Sequence, residues 1–372
     1  MVRIIARFNS TIIMSATSRK QNDHINRRGF LCETAVATAG LVAGVPALRA
    51  ADAQSGAKPL NYNPDMEYRR LGKTGLQISA VCLGGHWKRI DTVASGGTDS
   101  PDFQKNRYDV VTRCIERGIN YIDACTGGEV MVYSRALKGR REKMHLGFSW
   151  FEEEMRNPEC RTTAKLLQAL EKGMKQTGLD YVDLWRITLL EQSGQHTPAE
   201  IEGMMKALET AKKQGKARFT GFSSHDRPHI KWMIETYPQI VDVVCTPYTA
   251  KTRVLPADSL FEAVRKQDVG VFGIKPFASN SLFRGSSAPN HPMAAEDSRI
   301  ARLAIRNILS NPSITAPIPG LINLDQVDNA ANAVRERRQL DQNEQADLER
   351  AGAEMWARLP RDYHWLKDFE FV

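Results

Sequence analysis

Seven side chains able to move protons or neutralise charge stand where short apolar runs give way to polar ones: His86, Asp123, Glu152, Arg186, Glu191, His225 and Lys275. Two imidazoles and three carboxylates can exchange protons near neutrality when a fold brings them together. Arg186 and Lys275 can stabilise negative charge that develops during a reaction. Singly, each is an ordinary solvated or hydrogen-bonded loop residue; only convergence on one face makes a site. Cysteine chemistry is less promising. Cys82, Cys114, Cys125, Cys160 and Cys245 mostly sit in apolar strand or helix contexts, where a thiol serves as a small hydrophobe. No C-x-x-C pair occurs, so zinc ribbons and iron–sulfur clusters lack ligands, and no metal site is expected.

The elements that must position these residues alternate regularly. Apolar runs at 80–83, 120–122, 144–148, 179–187, 216–222, 241–245, 269–274 and 313–318 read as strands, with amphipathic helices between them. Gly118, Gly178 and Gly215 stop helices, Pro198 opens one, and Asp226 caps another. Eight strands alternating with helices predict the α/β class and a parallel (β/α)8 TIM barrel. A β-hairpin over 68–79 precedes it, turning around Gly72 and Gly75, and a C-terminal helix over 341–357 follows it. Such barrels keep their chemistry at the C-terminal ends of the strands, where the seven residues fall. A doubly wound open sheet is disfavoured, because no G-x-G-x-x-G follows an early strand. The polar stretches 88–106, 151–161, 192–198 and 279–292 are expected as loops on the same face, where they would set specificity.

The net charge of +8 is concentrated at the N-terminus. Residues 1–53 hold seven basic and three acidic residues, and without them the charge is +4. No Lys/Arg block with interleaved aromatics occurs, which argues against nucleic-acid binding. The run Asn26, Arg27, Arg28, Gly29, Phe30, Leu31, followed by small and apolar residues over 35–46, reads as a twin-arginine export signal with cleavage near Ala50 or Ala53. The apolar run is too short and too rich in Ala and Gly for a membrane span, so no stable membrane insertion is expected. The expected organisation is a signal peptide over 1–53, a linker over 54–66, the barrel over 67–335, and a C-terminal helix and tail over 336–372. A periplasmic monomer is expected.

Several stretches carry a family resemblance: YRRLGKTGLQIS at 68–79, INYIDA at 119–124 with ALKGRREK at 136–143, LDYVDL at 179–184, GKARFTGFS at 215–223 and SNPSITAPIPG at 310–320. With them the chain resembles the aldo-keto reductases from residue 67 to about 335. The resemblance implies a hairpin plugging the barrel bottom and reversible hydride transfer between a nicotinamide cofactor and a carbonyl or alcohol. It also implies a proton-donating Tyr, with a Lys paired to an Asp that lowers its pKa, and a His that orients the substrate. In register, Asp123 stands at the Asp position. Gly128 stands at the Tyr position, Ser149 at the Lys position and Thr188 at the His position. Loss of a proton donor costs roughly 100- to 10,000-fold.

Three readings stay open. His86 or Tyr133 replaces the missing Tyr from another perch; a different constellation on the same face does other chemistry; or the barrel binds a ligand without turning it over. The catalytic candidates are Asp123, His86 and Tyr133. By resemblance, Ser223 and Ser224 match the turn that holds the carboxamide of the nicotinamide, and Tyr248 matches the Tyr that stacks on its ring. Lys275 resembles a Lys near the pyrophosphate, a sensible place for a cation. Gly320 matches the turn before the adenosine site, and Gln326 matches its Gln. The Arg that clamps the 2′-phosphate of NADP is replaced by Ile322, which leans toward NAD while leaving NADP possible. The expected function is therefore NAD(P)-dependent oxidation or reduction of a small carbonyl or alcohol, sugars included. The alternatives are an inactive binding barrel and a non-redox lyase or hydrolase using His86, Asp123, Glu191, His225 and Lys275. The partner expected throughout is a small-molecule substrate.

Overall fold

Tight turns and alternating apolar residues build the base of the molecule. In the computed structural model, which describes residues 58–252 and 259–367, strand β1 (Tyr68–Arg70) pairs antiparallel with β2 (Gln77–Ser79), Tyr68 opposite Ser79. The described residues belong to one compact unit. The predicted export segment lies outside them. The hairpin puts Leu71, Leu76 and Ile78 against Tyr121, Leu184, Val243, Phe272 and Ile318, so it closes the bottom of the barrel with apolar side chains. Removing the Ile78 side chain to Cβ would forfeit about 2–5 kcal/mol.

Eight parallel strands follow in sequence order: β3 (Leu83–Gly84), β4 (Tyr121–Ala124), β5 (His145–Phe148), β6 (Val182–Thr188), β7 (Ala217–Ser223), β8 (Val243–Pro247), β9 (Gly270–Ile274) and β10 (Ala316–Ile318). The ring closes where the Cys82 N–H donates to the Pro317 carbonyl at 3.1 Å and the Gly84 N–H to the Pro319 carbonyl at 2.8 Å. The register aligns Gly84 with Asp123, Thr188 with Ser223, Pro247 with Ile274 and Ile274 with Ile318. All C-terminal ends therefore share one rim.

Helices α1 (Pro101–Glu116), α2 (Gly127–Ala136), α3 (Thr163–Thr177), α4 (Pro198–Lys213), α5 (Arg227–Thr236), α6 (Leu260–Gln267), α7 (Ala294–Leu309) and α8 (Leu324–Arg335) surround the ring. Helix α9 (Gln342–Ala357) packs Leu348 and Met355 against Ile300, Leu303 and Ala304. Local chemistry sets the ends: Ser100 accepts the Phe103 N–H, Gly178 ends α3 in the left-handed conformation, and capping boxes open α4 and α9.

The boundaries differ from expectation in instructive places. Helix α1 starts inside the stretch read as a loop to residue 106, because Ser100 and Pro101 form an ordinary start signal. Helix α2 ends at Ala136, and the basic KGRREK stretch lies beyond it. The far end of the predicted linker is docked: Asn61 donates to the Lys143 carbonyl at 2.6 Å, Asn63 to the Glu116 carbonyl at 3.1 Å, and Met66 is buried. No helix among the described residues is long and apolar enough to cross a membrane.

Below the rim, the buried Asp183 carboxylate joins three strands. It accepts from Arg141 at 2.7 Å, Arg218 at 2.8 Å and the Leu146 N–H at 2.9 Å. Burial alone would raise its pKa, but Arg141, His145 and Arg218 hold it far below the carboxylate range. A depressed folded pKa stabilises above the unfolded value, and that stability is lost as the pH falls. Asp183→Asn should cost about 3 kcal/mol at pH 7 by denaturant unfolding. The difference from wild type should shrink below about pH 4; a difference independent of pH would contradict the assignment.

Candidate active site

The rim gathers its charge in pairs. Asp123, at the end of β4, is buried and takes both arms of the Arg186 guanidinium. Nε donates to Oδ1 at 2.7 Å and Nη2 to Oδ2. The two residues lie on strands separated by β5, and Gly147 of β5 stands beside Asp123. A Cβ there would meet Asp123 Oδ1 at 2.9 Å and the Tyr121 hydroxyl at 2.0 Å, so only glycine lets the pair form across the strand. Burial would lower the Arg186 pKa, but the Asp123 carboxylate outweighs it and keeps the guanidinium charged. Arg186 Nη1 also donates to Thr188 Oγ1 at 3.2 Å and lies 3.8 Å from the Cys125 sulfur. Burial nevertheless pushes the Cys125 thiol up, with Arg186 only partly offsetting it.

A second pair forms beside the first. His86 follows Gly84 and Gly85 in the left-handed conformation, φ 53°, and its ring turns back onto Glu129 of α2. Nδ1 lies 2.6 Å from Glu129 Oε1, and the His86 backbone N–H donates to the same oxygen at 2.5 Å. The Cys125 N–H donates to Oε2 at 2.7 Å. Burial would raise the Glu129 carboxyl, but His86 and the two backbone donors hold it below the ordinary value. An ionised carboxylate only accepts, so Nδ1 carries the proton between them. The Glu129 side chain is 5% exposed and that of His86 46%. A Cβ at residue 85 would lie 2.0 Å from the Glu129 carboxyl, so Gly85 makes room for it.

The other candidates divide. His86, Asp123, Arg186, Glu191, His225 and Lys275 line one cavity of about 370 Å³ at the mouth, with Ser223. Glu152 does not line it; its carboxylate accepts the Gly127 N–H at 3.1 Å, at the start of α2. Tyr133 does not reach the mouth either. Its ring is fully buried, and its hydroxyl donates to the Gly84 carbonyl at 2.5 Å and accepts from Trp87 at 2.9 Å. Burial raises this phenol, so Tyr133 locks the strand end that carries His86.

Tyr248 is likewise buried, held by Asn311 at 3.3 Å and packed on Phe261, and offers no ring face to the mouth. Ser224 is spent on Ser193 at 2.7 Å. Ser149 and Thr188, 2.8 Å apart, both bond the buried Glu154, at 2.6 Å from Ser149 Oγ and 2.8 Å from the Thr188 N–H. Among the described residues no group of three or more His, Cys, Asp or Glu side chains could hold a metal ion.

Lys275 directly follows β9 in the left-handed conformation, φ 56°. Burial, with Arg156 and Arg186, lowers its pKa to about 8 against the opposing pull of Cys125 and Glu191. Burial drops the His225 pKa well below its usual value, and Lys275 and Arg156 add to this, so the imidazole is neutral. The C-terminal turn Arg361–Lys367 roofs this side, with Trp365 stacked on His225 at 4.3 Å.

A groove of about 260 Å³ adjoins the mouth through Lys88, Phe277, Asn280 and Gly320 and runs to Asn323, Asp325 and Gln326 at the start of α8. Gln326 accepts the Ile322 N–H at 3.0 Å, and buried Arg107 donates to the Leu321 and Ile322 carbonyls, each at 2.8 Å. Ile322 itself is buried.

The aldo/keto reductase family model matches residues 92–300. This chain belongs to the aldo/keto reductase family. It is 23% identical over 314 residues to L-galactose dehydrogenase of Arabidopsis thaliana, covering 75% of this chain and 92% of that protein. It is 24% identical over 261 residues to L-glyceraldehyde 3-phosphate reductase of Escherichia coli O157:H7, covering 66% of this chain and 70% of that one. An aldo-keto reductase from Bacillus halodurans, solved in its holo form, superposes with a TM-score of 0.57 at 22% identity, covering 77% of this chain and 96% of its own. The family consists of oxidoreductases that act on small molecules and generally use NAD(P)H.

Glu129, Glu154, Tyr363 and Trp365 are the site residues that sequence reasoning missed. Thr126 and Glu129 form a T-x-x-E spacing, which reads as a helix start and gives no hint of a histidine partner.

Proposed function

We propose that this protein is an NAD(P)-dependent oxidoreductase for a small carbonyl or alcohol, sugars included, in which the Glu129-held His86 moves the substrate's proton. The observation that carries the reading is the pairing itself: a buried carboxylate fixes Nδ1 of an imidazole whose edge opens into the mouth beside Asp123 and Arg186. A nicotinamide, when bound, supplies or removes the hydride at carbon. His86 Nε2 gives a proton to the carbonyl oxygen in reduction and takes it from the hydroxyl in oxidation. Glu129 holds the ring and stabilises the imidazolium. Arg186, kept charged by Asp123, lowers the energy of negative charge developing on oxygen.

The groove supports a dinucleotide. It is continuous with the mouth, and it ends at a helix N-terminus, where backbone N–H groups and the helix dipole favour anions. Its lining includes Asp297 and Asp325, and among the described residues Lys88 is the only Lys or Arg that lines it. A 2′-phosphate there would lie beside carboxylates without a clamp, which favours NAD. NADH should bind at least about tenfold more tightly than NADPH in a fluorescence titration, a difference of about 1.4 kcal/mol. Equal affinities would contradict this preference.

Catalysis is tested by turnover over a panel of aldoses, their alcohols and their oxidised forms. His86→Gln should lower kcat/KM by about 100- to 10,000-fold, and Glu129→Gln by a smaller factor. Tyr133→Phe, which only loosens the strand end that carries His86, should cost less than about tenfold, well below the loss in His86→Gln. Unchanged turnover in His86→Gln, or a collapse in Tyr133→Phe with the fold retained, would overturn the assignment. Cofactor binding without turnover of any compound would leave a ligand-binding barrel.

A further inference from the structure

Two lysines line the mouth without an ion pair among the described residues: Lys88, exposed where the mouth meets the groove, and Lys275, directly after β9. Asp123 is paired with Arg186, Glu191 with Arg156 at 3.2 Å, and Glu129 with His86. Lys275 forms no ion pair among the described residues; its Nζ lies 5.6 Å from the centre of the Trp365 ring. It opens onto the mouth and does not line the groove that runs to α8. Its left-handed backbone is rarely adopted by a residue with a Cβ, and such outliers collect at functional sites. The roof above it is aromatic. Trp365 stacks on the neutral His225, and Lys88 lies 5.8 Å over Tyr363. A cation shielded in this way lacks solvation, and burial draws its pKa down to about 8. A counter-ion placed beside it would be bound in surroundings that strengthen the attraction.

We propose that the substrate is a small hydroxy or oxo acid whose carboxylate is received by Lys275 while its reacting oxygen lies at His86. Lys88 is exposed, whereas Lys275 is drawn in beneath Trp365, and its single charge matches a carboxylate. The aromatic roof of Trp365 and Tyr363 would close over the carbon skeleton. The inference rests on the reading of the mouth as the substrate site given above, and it adds the class of substrate.

The test reads binding alone. The full chain, without cofactor, is titrated by calorimetry with glucuronate, glycerate and lactate, and with neutral glucose and glycerol. NADH is titrated separately. Wild type should bind at least one of the acids, at least tenfold more tightly than its neutral counterpart. Lys275→Gln should lose at least tenfold in that affinity, Lys275→Arg should retain most of it, and NADH affinity should change less than twofold in both. Failure of wild type to bind any acid, equal binding of acids and neutral compounds, or unchanged acid binding in Lys275→Gln would overturn the proposal. Loss of NADH affinity in place of acid affinity would assign Lys275 to the cofactor's diphosphate and overturn it as well. The comparison of acids with neutral compounds on wild type stands even if Lys275→Gln does not fold. Acid binding without hydride transfer would sink the oxidoreductase reading and leave this one in place.

Discussion

Glu129 is the side chain on which the mouth is built. Its two oxygens tie together the Gly85–His86 turn after β3, the Cys125 backbone after β4, and the first turn of α2. A buried carboxylate is tolerated only when its lone pairs are satisfied and a positive or polarised partner stands by. Here two backbone N–H groups, an imidazole and a helix N-terminus meet that demand together. The left-handed His86, the glycine at 85 and the locked Tyr133 follow from the same requirement. Each holds the end of β3 close enough for the imidazole to reach the carboxylate.

The same logic of matched charge runs around the rim. Asp123 and Arg186 neutralise each other across Gly147, and Glu154 is satisfied by Ser149, Thr188 and Trp150. Where the family resemblance implies a Lys and a His, the chain has two hydroxyl residues bonded to a buried acid. Ser149 and Thr188 are therefore parts of a wall, with both hydroxyls bonded to neighbours within it. In the proposed reaction the proton passes through His86, whose Nδ1 is held by Glu129 and whose outer edge opens onto the mouth.

Much of the fold was legible, because strand periodicity, glycine stops and helix caps are local signals. Asp123 could be read at a strand end, and its place on the rim follows from topology alone. Its partner could not: Arg186 meets Asp123 only because β5 passes between them with a glycine at the crossing. Glu129 was hidden behind a helix-start spacing, and Trp365 lies in a tail whose return to the mouth depends on how α9 packs. Tyr133 and Tyr248 mislead in the opposite way. Both are chemically able, but each ring is buried, with its hydroxyl committed within the fold. Residue type and strand-end position name candidates, and burial with hydrogen-bond commitment decides among them.

The most direct test of the central claim is the protonation of the His86 ring, read by ¹⁵N NMR in wild type and in Glu129→Gln. The account predicts that neutral His86 carries its proton on Nδ1, hydrogen-bonded and slow to exchange, with Nε2 bare toward the mouth. It also predicts that the Glu129→Gln change releases this preference. A ring protonated on Nε2 in wild type, or one indifferent to the loss of the Glu129 charge, would contradict it.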